Sequence, residues 1–357
     1  MPAGPRPAPP APLAEVTRGP LVESVHLGHA AVVTGDGRLV RALGDPDAIV
    51  FLRSSAKPFQ AMPALLDGAA GRFGFTDAEV ALACGSHEGE PLHVETARRM
   101  LEKAGLGPDA LRCGLKPPLN EDEADALIAR GERLTTLHNE CSGEHAAMAA
   151  LARHLGADLD AYIEGGHPVQ RRVREVVARF AGVDADALAT ATDGCRIPTF
   201  AVPLRTAALM YARLAHPPAE LDETTRQACG RIVRAMTAHP EMVDGTRADE
   251  LLDSALMRAG GGRIASKMGA EGLWAAGVRP SAVWPTGLGL AVKVADGDPD
   301  ERARSPIAVA LLHHLGVLTE AELERLAPHR TGPVTDNAGT EVGEVRAVGF
   351  AGRVASS

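Results

Sequence analysis

The sequence predicts an α/β chain of the α+β kind: a mixed antiparallel sheet drawn from both chain ends, with a helical lobe inserted between them. Three observations lead there. β-Branched runs broken by turn tetrapeptides follow residue 20, apolar residues recur at helical spacing from about 58 to 258, and strand character returns in the last part of the chain.

Taken in order, residues 1–20 are rich in Pro and Ala and lack the basic start and apolar run of a secretory signal, so they are expected to form a disordered tail. "LVESVHLGHAAVVTGDGRLVRALGDPDAIVFLRS" reads as two or three antiparallel strands separated by "TGDG" and "GDPD", which is turn chemistry, the last of them "AIVFL". The last strand runs into "RSSAKP", where Pro58 suits the first turn of a helix and would break its interior. "TDAE" at Thr76 to Glu79 is a capping box, and Val94, Ala97, Leu101 and Ala104 keep helical spacing up to Gly105. Further helical segments are "EDEADALIAR", "CSGEHAAMAALARHL", "PVQRRVREVVARF", "TFAVPLRTAALMYARLA" and "ELDETTRQACGRIVRAMT". Strands return in "RIASKMGAEGLWAAGV", "SAVWPTGLGLAVKVADGD" and "TEVGEVRAVGF", around the helices "SPIAVALLHHLG" and "TEAELERLA". The expected division is therefore a sheet lobe of residues 21–57 and 259–357 and a helical lobe of residues 58–258, with a ligand cleft between them.

Composition narrows the partners. The chain has 357 residues and a formal charge of -9, with no basic run of the sort that binds nucleic acid. No apolar stretch reaches the roughly 18 to 20 residues of a membrane span. Five cysteines, an odd set with no C-x-x-C pair, argue against a disulfide framework. The expectation is a soluble, cytoplasmic protein acting on a small molecule, with neither nucleic acid nor membrane as partner.

Lysine is scarce: 32 of the 37 basic residues are arginine. An ammonium can lose its proton when desolvated and a guanidinium cannot, so a lysine retained against that background suggests amine chemistry. Ser54 and Lys57 form S-x-x-K at a helix start, where i and i+3 share a face and a neutral lysine could take the serine proton. The same spacing is also met by a helix cap from Ser54 with Lys57 in water. "ALACGSHEGEP" places Ser86 in a glycine-containing loop beside His87 and Glu88, either as a site loop or as a connection whose polar side chains cap the next helix. Lys267, in "ASKMGAEG", sits near a strand end before a glycine and resembles a K-T-G element. "NECSGEHAAM" and "DGCRIP" put Cys141 and Cys195 in turns, and with Glu144 or His145 they offer zinc chemistry, against the alternative of small buried cysteines.

In order along the chain, "RSSAKPFQ", "CGSHEGEP", "CSGEHAAM", "DGCRIPTF", "HPEMVDG" and "KMGAEG" resemble the asparaginase II family, the L-asparaginases of the Rhizobium etli type. That resemblance implies a serine β-lactamase- and glutaminase-like fold and a homodimer. It implies two serine–lysine pairs, Ser54 with Lys57 and Ser86 with Lys267, and a zinc ion held by Cys141 and Cys195 with Asp193 beside them. The family's C-S-G-K-H supplies a lysine ligand where this chain has Glu144, which gives either a Cys/Cys/carboxylate zinc site or a site altered in metal affinity or activity. The implied activity is hydrolysis of L-asparagine to L-aspartate and ammonia, in which either serine could attack: Ser54 is the favoured nucleophile with neutral Lys57 as base, and Ser86 with Lys267 is the second pair, which shuttles protons or, with roles reversed, attacks. Asp193, His87 and Glu88 are expected at the substrate. Alternatives are a glutaminase, a β-lactam-recognising serine hydrolase, or a catalytically silent homologue that binds an amino acid or metal.

Overall fold

A computed structural model describes residues 8–247 and 250–350. The strands are β1 (Ala11–Arg18), β2 (Leu21–Thr34), β3 (Leu39–Leu43), β4 (Ile49–Phe51), β5 (Ala189–Thr192), β6 (Pro198–Pro203), β7 (Ile264–Gly269), β8 (Leu273–Val278), β9 (Leu288–Val294), β10 (Thr331–Thr335) and β11 (Glu341–Ala347). The chain divides into two units, one of Met1–Val50, Val202–Pro218 and Ala255–Ser357, the other of Phe51–Ala201 and Ala219–Ser254.

The first unit holds an eight-stranded sheet of order β10-β11-β1-β2-β9-β8-β7, with β3 paired to β2. All of its pairings are antiparallel. Both chain ends thus meet in one sheet. The "TGDG" turn closes β2 onto β3, with Gly37 N–H donating to Thr34 O at 2.8 Å and Gly37 at φ +87°. β1 corrects the expected tail. Leu13, Ala14 and Val16 are buried between β2 and β11, and the register slips between Pro12 and Ala14, where proline has no N–H to give the ladder. Only residues 1–7 of that expected tail lie outside the described residues.

The expected helical lobe also changes at its edge. "TFAVPLRTAALMYARLA" begins as β6 and continues as the helix Leu204–Ala215, which belongs with the sheet unit and packs on β2, β8 and β9. Two glycines let it approach: a Cβ at Gly289 would collide with Ala208 O, and one at Gly277 with Tyr211 O. Trp274, fully buried on β8, donates its Nε1–H to Ser266 Oγ at 2.8 Å, so the indole's polar atom is satisfied inside the core.

The second unit is mainly helical. Thr76 caps the helix Asp77–Ala83 as its capping box requires, accepting Glu79 N–H while Glu79 Oε2 accepts Thr76 N–H at 2.7 Å. The buried helix Ser142–Leu155 packs against Lys57–Leu66, Asp77–Ala83 and Pro91–Lys103. β5 and β6 form an antiparallel hairpin in this unit, running from Ala189↔Ala201 to Thr192↔Pro198. No helix among the described residues is long and apolar enough to cross a membrane.

The glycine contact yields a test. Gly289→Ala should cost about 2–3 kcal/mol, because the clash is with helix backbone and not with a movable side chain. Gly230→Ala, in the helix Glu223–Ala238 with open space at its Cβ, should gain about 0.5–1 kcal/mol. Thermal and urea melts check both.

Candidate active site

Lys57 opens the helix Lys57–Leu66, entered through the short 3₁₀ turn Arg53–Ala56. It is only 1% exposed. Its Nζ donates to Gly85 O at 2.7 Å, Ser86 Oγ at 2.9 Å and Cys141 Sγ at 3.2 Å, and lies 3.5 Å from Glu144 Oε2. Three donors matched to three acceptors is the pattern an ammonium makes.

Two expectations change here. The lysine's bond goes to Ser86 and not to Ser54, which is half-buried one turn earlier, because the long stem carries Nζ beyond its own turn to acceptors on other segments. Ser54 does not cap the helix either, since the cap positions are Leu52 and Ala56. Burial works against the charge on Lys57, but Cys141, Glu144 and Cys195 outweigh burial and hold its pKa above the ordinary lysine value.

The acceptors come from three places. Ser86 lies in the loop after Asp77–Ala83, where Gly85 admits close passage of Met242 O and Val243. Cys141 stands at the start of Ser142–Leu155, its N–H held by Asn139 Oδ1 at 2.9 Å, while Asn139 Nδ2 donates to Cys113 O and Gly114 O. Cys195 sits at the tip of the β5–β6 hairpin, in a turn closed by Arg196 N–H to Asp193 O at 2.9 Å. Arg196 there has φ +81° and Arg53 has φ +47°, left-handed conformations that non-glycine residues seldom adopt.

The electrostatics follow from these contacts. A hydrogen bond from Cys195, helped by the charge on Lys57, holds the Cys141 thiol down to about 7 against burial. The same bond, with burial, pushes the Cys195 thiol up, so Cys195 donates and Cys141 accepts. Burial pushes Glu144 up to about 8 although Lys57 pulls the other way.

Cys141 Sγ, a Glu144 oxygen and Cys195 Sγ lie within 4.8 Å of one another, all buried. Both Glu144 oxygens lack a hydrogen bond, an arrangement that a buried carboxylate seldom keeps. Two thiols and a carboxylate are a donor set that suits zinc, so the side chains present fit such an ion. His145 turns elsewhere, with Nδ1 2.7 Å from Tyr162 Oη, and burial drops its pKa to about 3.

The remaining expected residues fall as follows. Asp193 Oδ1 accepts from Arg53 Nε at 3.0 Å and from Gly194 N–H at 2.6 Å, beside Cys195. His87 is 0% exposed, with its ring nitrogens engaged by Gly89 N–H and Ser142 Oγ, which ties its loop to the helix Ser142–Leu155. Glu88 is buried with Oε2 accepting from Arg247 Nη2 at 3.0 Å. Lys267 lies in the sheet unit on β7, buried, with Nζ donating to Met268 O at 3.0 Å. Arg53 and Ser142 were missed by the sequence reading, although each is a direct neighbour of a residue it singled out.

A family model for L-asparaginase II matches residues 14–347. The chain belongs to the L-asparaginase II family. This L-asparaginase II family member is an amidohydrolase acting on a small molecule. No curated protein gives a significant match. Among solved structures the chain is similar to a probable glutaminase from Bacillus subtilis complexed with 6-diazo-5-oxo-L-norleucine, at 13% identity and TM-score 0.33 over 76% of this chain and 78% of that one. It is also similar to a Bacillus glutaminase in 4.3 M NaCl (12% identity, TM-score 0.35, 76% and 84% covered) and to Mglu (17%, 0.35, 82% and 67%).

Glu144 yields a pH test. Its folded pKa near 8 exceeds the ordinary 4.5, so the native carboxyl keeps its proton where the unfolded chain has lost it. That contribution is fully present below about pH 4.5 and is lost as pH rises through about 8. In chelator-treated protein, the melting temperature of wild type relative to Glu144→Gln should fall steadily from pH 5 to pH 8 and level off above, by a few degrees in all. A difference independent of pH would contradict the assignment.

Proposed function

We propose that the protein hydrolyses the side-chain amide of free L-asparagine to L-aspartate and ammonia, with Ser86 as nucleophile and Lys57 as its proton partner. The observation that carries this reading is the 2.9 Å contact between Lys57 Nζ and Ser86 Oγ in a buried setting. The family supplies the amide. The sequence favours Ser54 and leaves Ser86 open, and the contact supports the choice of Ser86.

Lys57 as an ammonium donates to Ser86 Oγ, so it must lose a proton before it can accept one. Cys141 Sγ and Glu144, at 3.2 Å and 3.5 Å, are the acceptors in reach. The neutral amine then takes the hydroxyl proton as Oγ attacks the amide carbon, and returns it to the departing nitrogen, leaving an acyl-enzyme for water to open. Zinc, if bound by Cys141, Glu144 and Cys195, supplies positive charge that offsets theirs and weakens their hold on the extra proton of Lys57. Arg53 and Asp193, paired beside this cluster, offer opposite charges to the carboxylate and α-amino group of an amino-acid substrate.

A second reading has its own support. With every proton of Lys57 engaged and anions around it, the chain could bind asparagine without turning it over. An ammonia-release assay with asparagine and glutamine, run with and without zinc, separates the two. Asparagine should be the better substrate. Ser86→Ala and Lys57→Met should each lower turnover by about 10³-fold or more, and Ser54→Ala by less. A larger loss in Ser54→Ala than in Ser86→Ala would return the nucleophile's role to Ser54, and asparagine binding without ammonia would support the silent homologue.

A further inference from the structure

We infer that His87, stacked on His93 and bonded to Ser142, is a positioning residue that sets Ser86 against Lys57. The inference rests on the reading of Ser86 as the reacting hydroxyl. It concerns a part of the molecule that neither the family match nor the serine–lysine chemistry assigns.

The loop carrying Ser86 has no helix or strand of its own, and its backbone is held by walls on different segments. Ser86 N–H donates to Val243 O at 2.8 Å, His87 N–H to Glu140 O at 3.2 Å and Glu88 N–H to Asp244 O at 2.9 Å. With its N–H committed to Val243, Ser86 has no backbone donor to offer a substrate, and its hydroxyl is the group the reaction needs. The precision of that side chain depends on what fixes the loop from within.

The two histidines do this in matching ways. His87 Nδ1 accepts Gly89 N–H at 3.0 Å, so the ring proton is on Nε2 and is donated to Ser142 Oγ at 2.8 Å. His93 Nδ1 accepts Glu90 N–H at 3.1 Å, and its Nε2–H goes to Glu241 O at 2.7 Å. The rings lie 4.9 Å apart and 16° from parallel, both at 0% exposure. His93 rides on the helix Pro91–Lys103, which gives the flexible loop a rigid base. Burial first, and then His93, Lys57 and His138, lower the His87 pKa well below its ordinary value, in keeping with the neutral ring this bonding needs.

Ser142 explains why the tie bears on chemistry. It directly follows Cys141, while His87 directly follows Ser86, so the His87–Ser142 bond fixes the distance between two segments that Lys57 must touch at once. Loosening it leaves the fold's helices in place and lets Ser86 Oγ drift from the amine. A shift of about 1 Å at a reacting atom can cost roughly 10²-fold in rate.

The test uses His87→Phe, which keeps the stack and removes both ring nitrogens, Ser142→Ala, which removes only the acceptor, and His87→Gln, which returns an N–H donor. Two readouts are taken on full-length protein: kcat and KM for asparagine, and the rate at which a fluorophosphonate labels Ser86, located by peptide mass spectrometry. For His87→Phe both kcat and labelling should fall about 10²-fold with KM unchanged. Ser142→Ala should fall about 10-fold, the double variant should be no worse than His87→Phe, and His87→Gln should recover about 10-fold over His87→Phe. If wild type labels at Ser86 but releases no ammonia, the hydrolysis reading fails and the labelling ratios alone decide the inference. Labelling and kcat unchanged in folded His87→Phe, or in Ser142→Ala should His87→Phe not fold, would overturn it. So would additive losses in the double variant, or wild-type labelling at a hydroxyl other than Ser86.

Discussion

One buried ammonium organises the helical unit's site. Burying a charge is unfavourable unless it is hydrogen-bonded and paired, and Lys57 meets both conditions by drawing a carbonyl, a hydroxyl, a thiol sulfur and a carboxylate from separate parts of the chain. Each partner is in turn held by its own segment: Gly85 and Ser86 by the loop against Val243 and Asp244, Cys141 by Asn139, Glu144 by its place in the first turn of Ser142–Leu155. Local turns that look unrelated in the sequence therefore converge because one cation needs all of them.

The same contacts set a chemical tension. The anions that make Lys57 tolerable as a buried charge are those that keep it protonated, whereas a general base must be neutral. Glu144 sharpens this. Its carboxyl is pushed up by burial to about 8 and carries no hydrogen bond on either oxygen. A cation bound among Cys141, Glu144 and Cys195 would satisfy those oxygens and relax the field on Lys57 together.

Much of the fold was legible in the sequence, and the unread parts share causes. Strands such as β2, β8 and β9 announced themselves by β-branched runs between turn residues, and Thr76 with Glu79 marked a helix start that the structure reproduces. β1 was hidden by its Pro and Ala content, because its stability comes from neighbours on both sides and not from propensity. The β5–β6 hairpin was hidden by an apolar run that continues without a break into a helix. In the site, the ordered motifs brought Ser86, Cys141, Glu144 and Cys195 into view as members. Their pairing was not legible: an i, i+3 rule describes neighbours on one helix, and Lys57 chose partners on other segments. The bond of His87 to Ser142 was not legible, because a histidine beside a loop serine looks alike in sequence whether it faces substrate or a buried hydroxyl.

The charge on Lys57 is the quantity to measure. With ¹⁵N-labelled lysine only five side chains report, and Lys57→Met assigns the one that matters. In chelator-treated protein the account predicts an ammonium nitrogen signal for Lys57 that persists at about pH 11, above the ordinary lysine value of 10.5. A neutral-amine signal from Lys57 at pH 7 to 8 would contradict it.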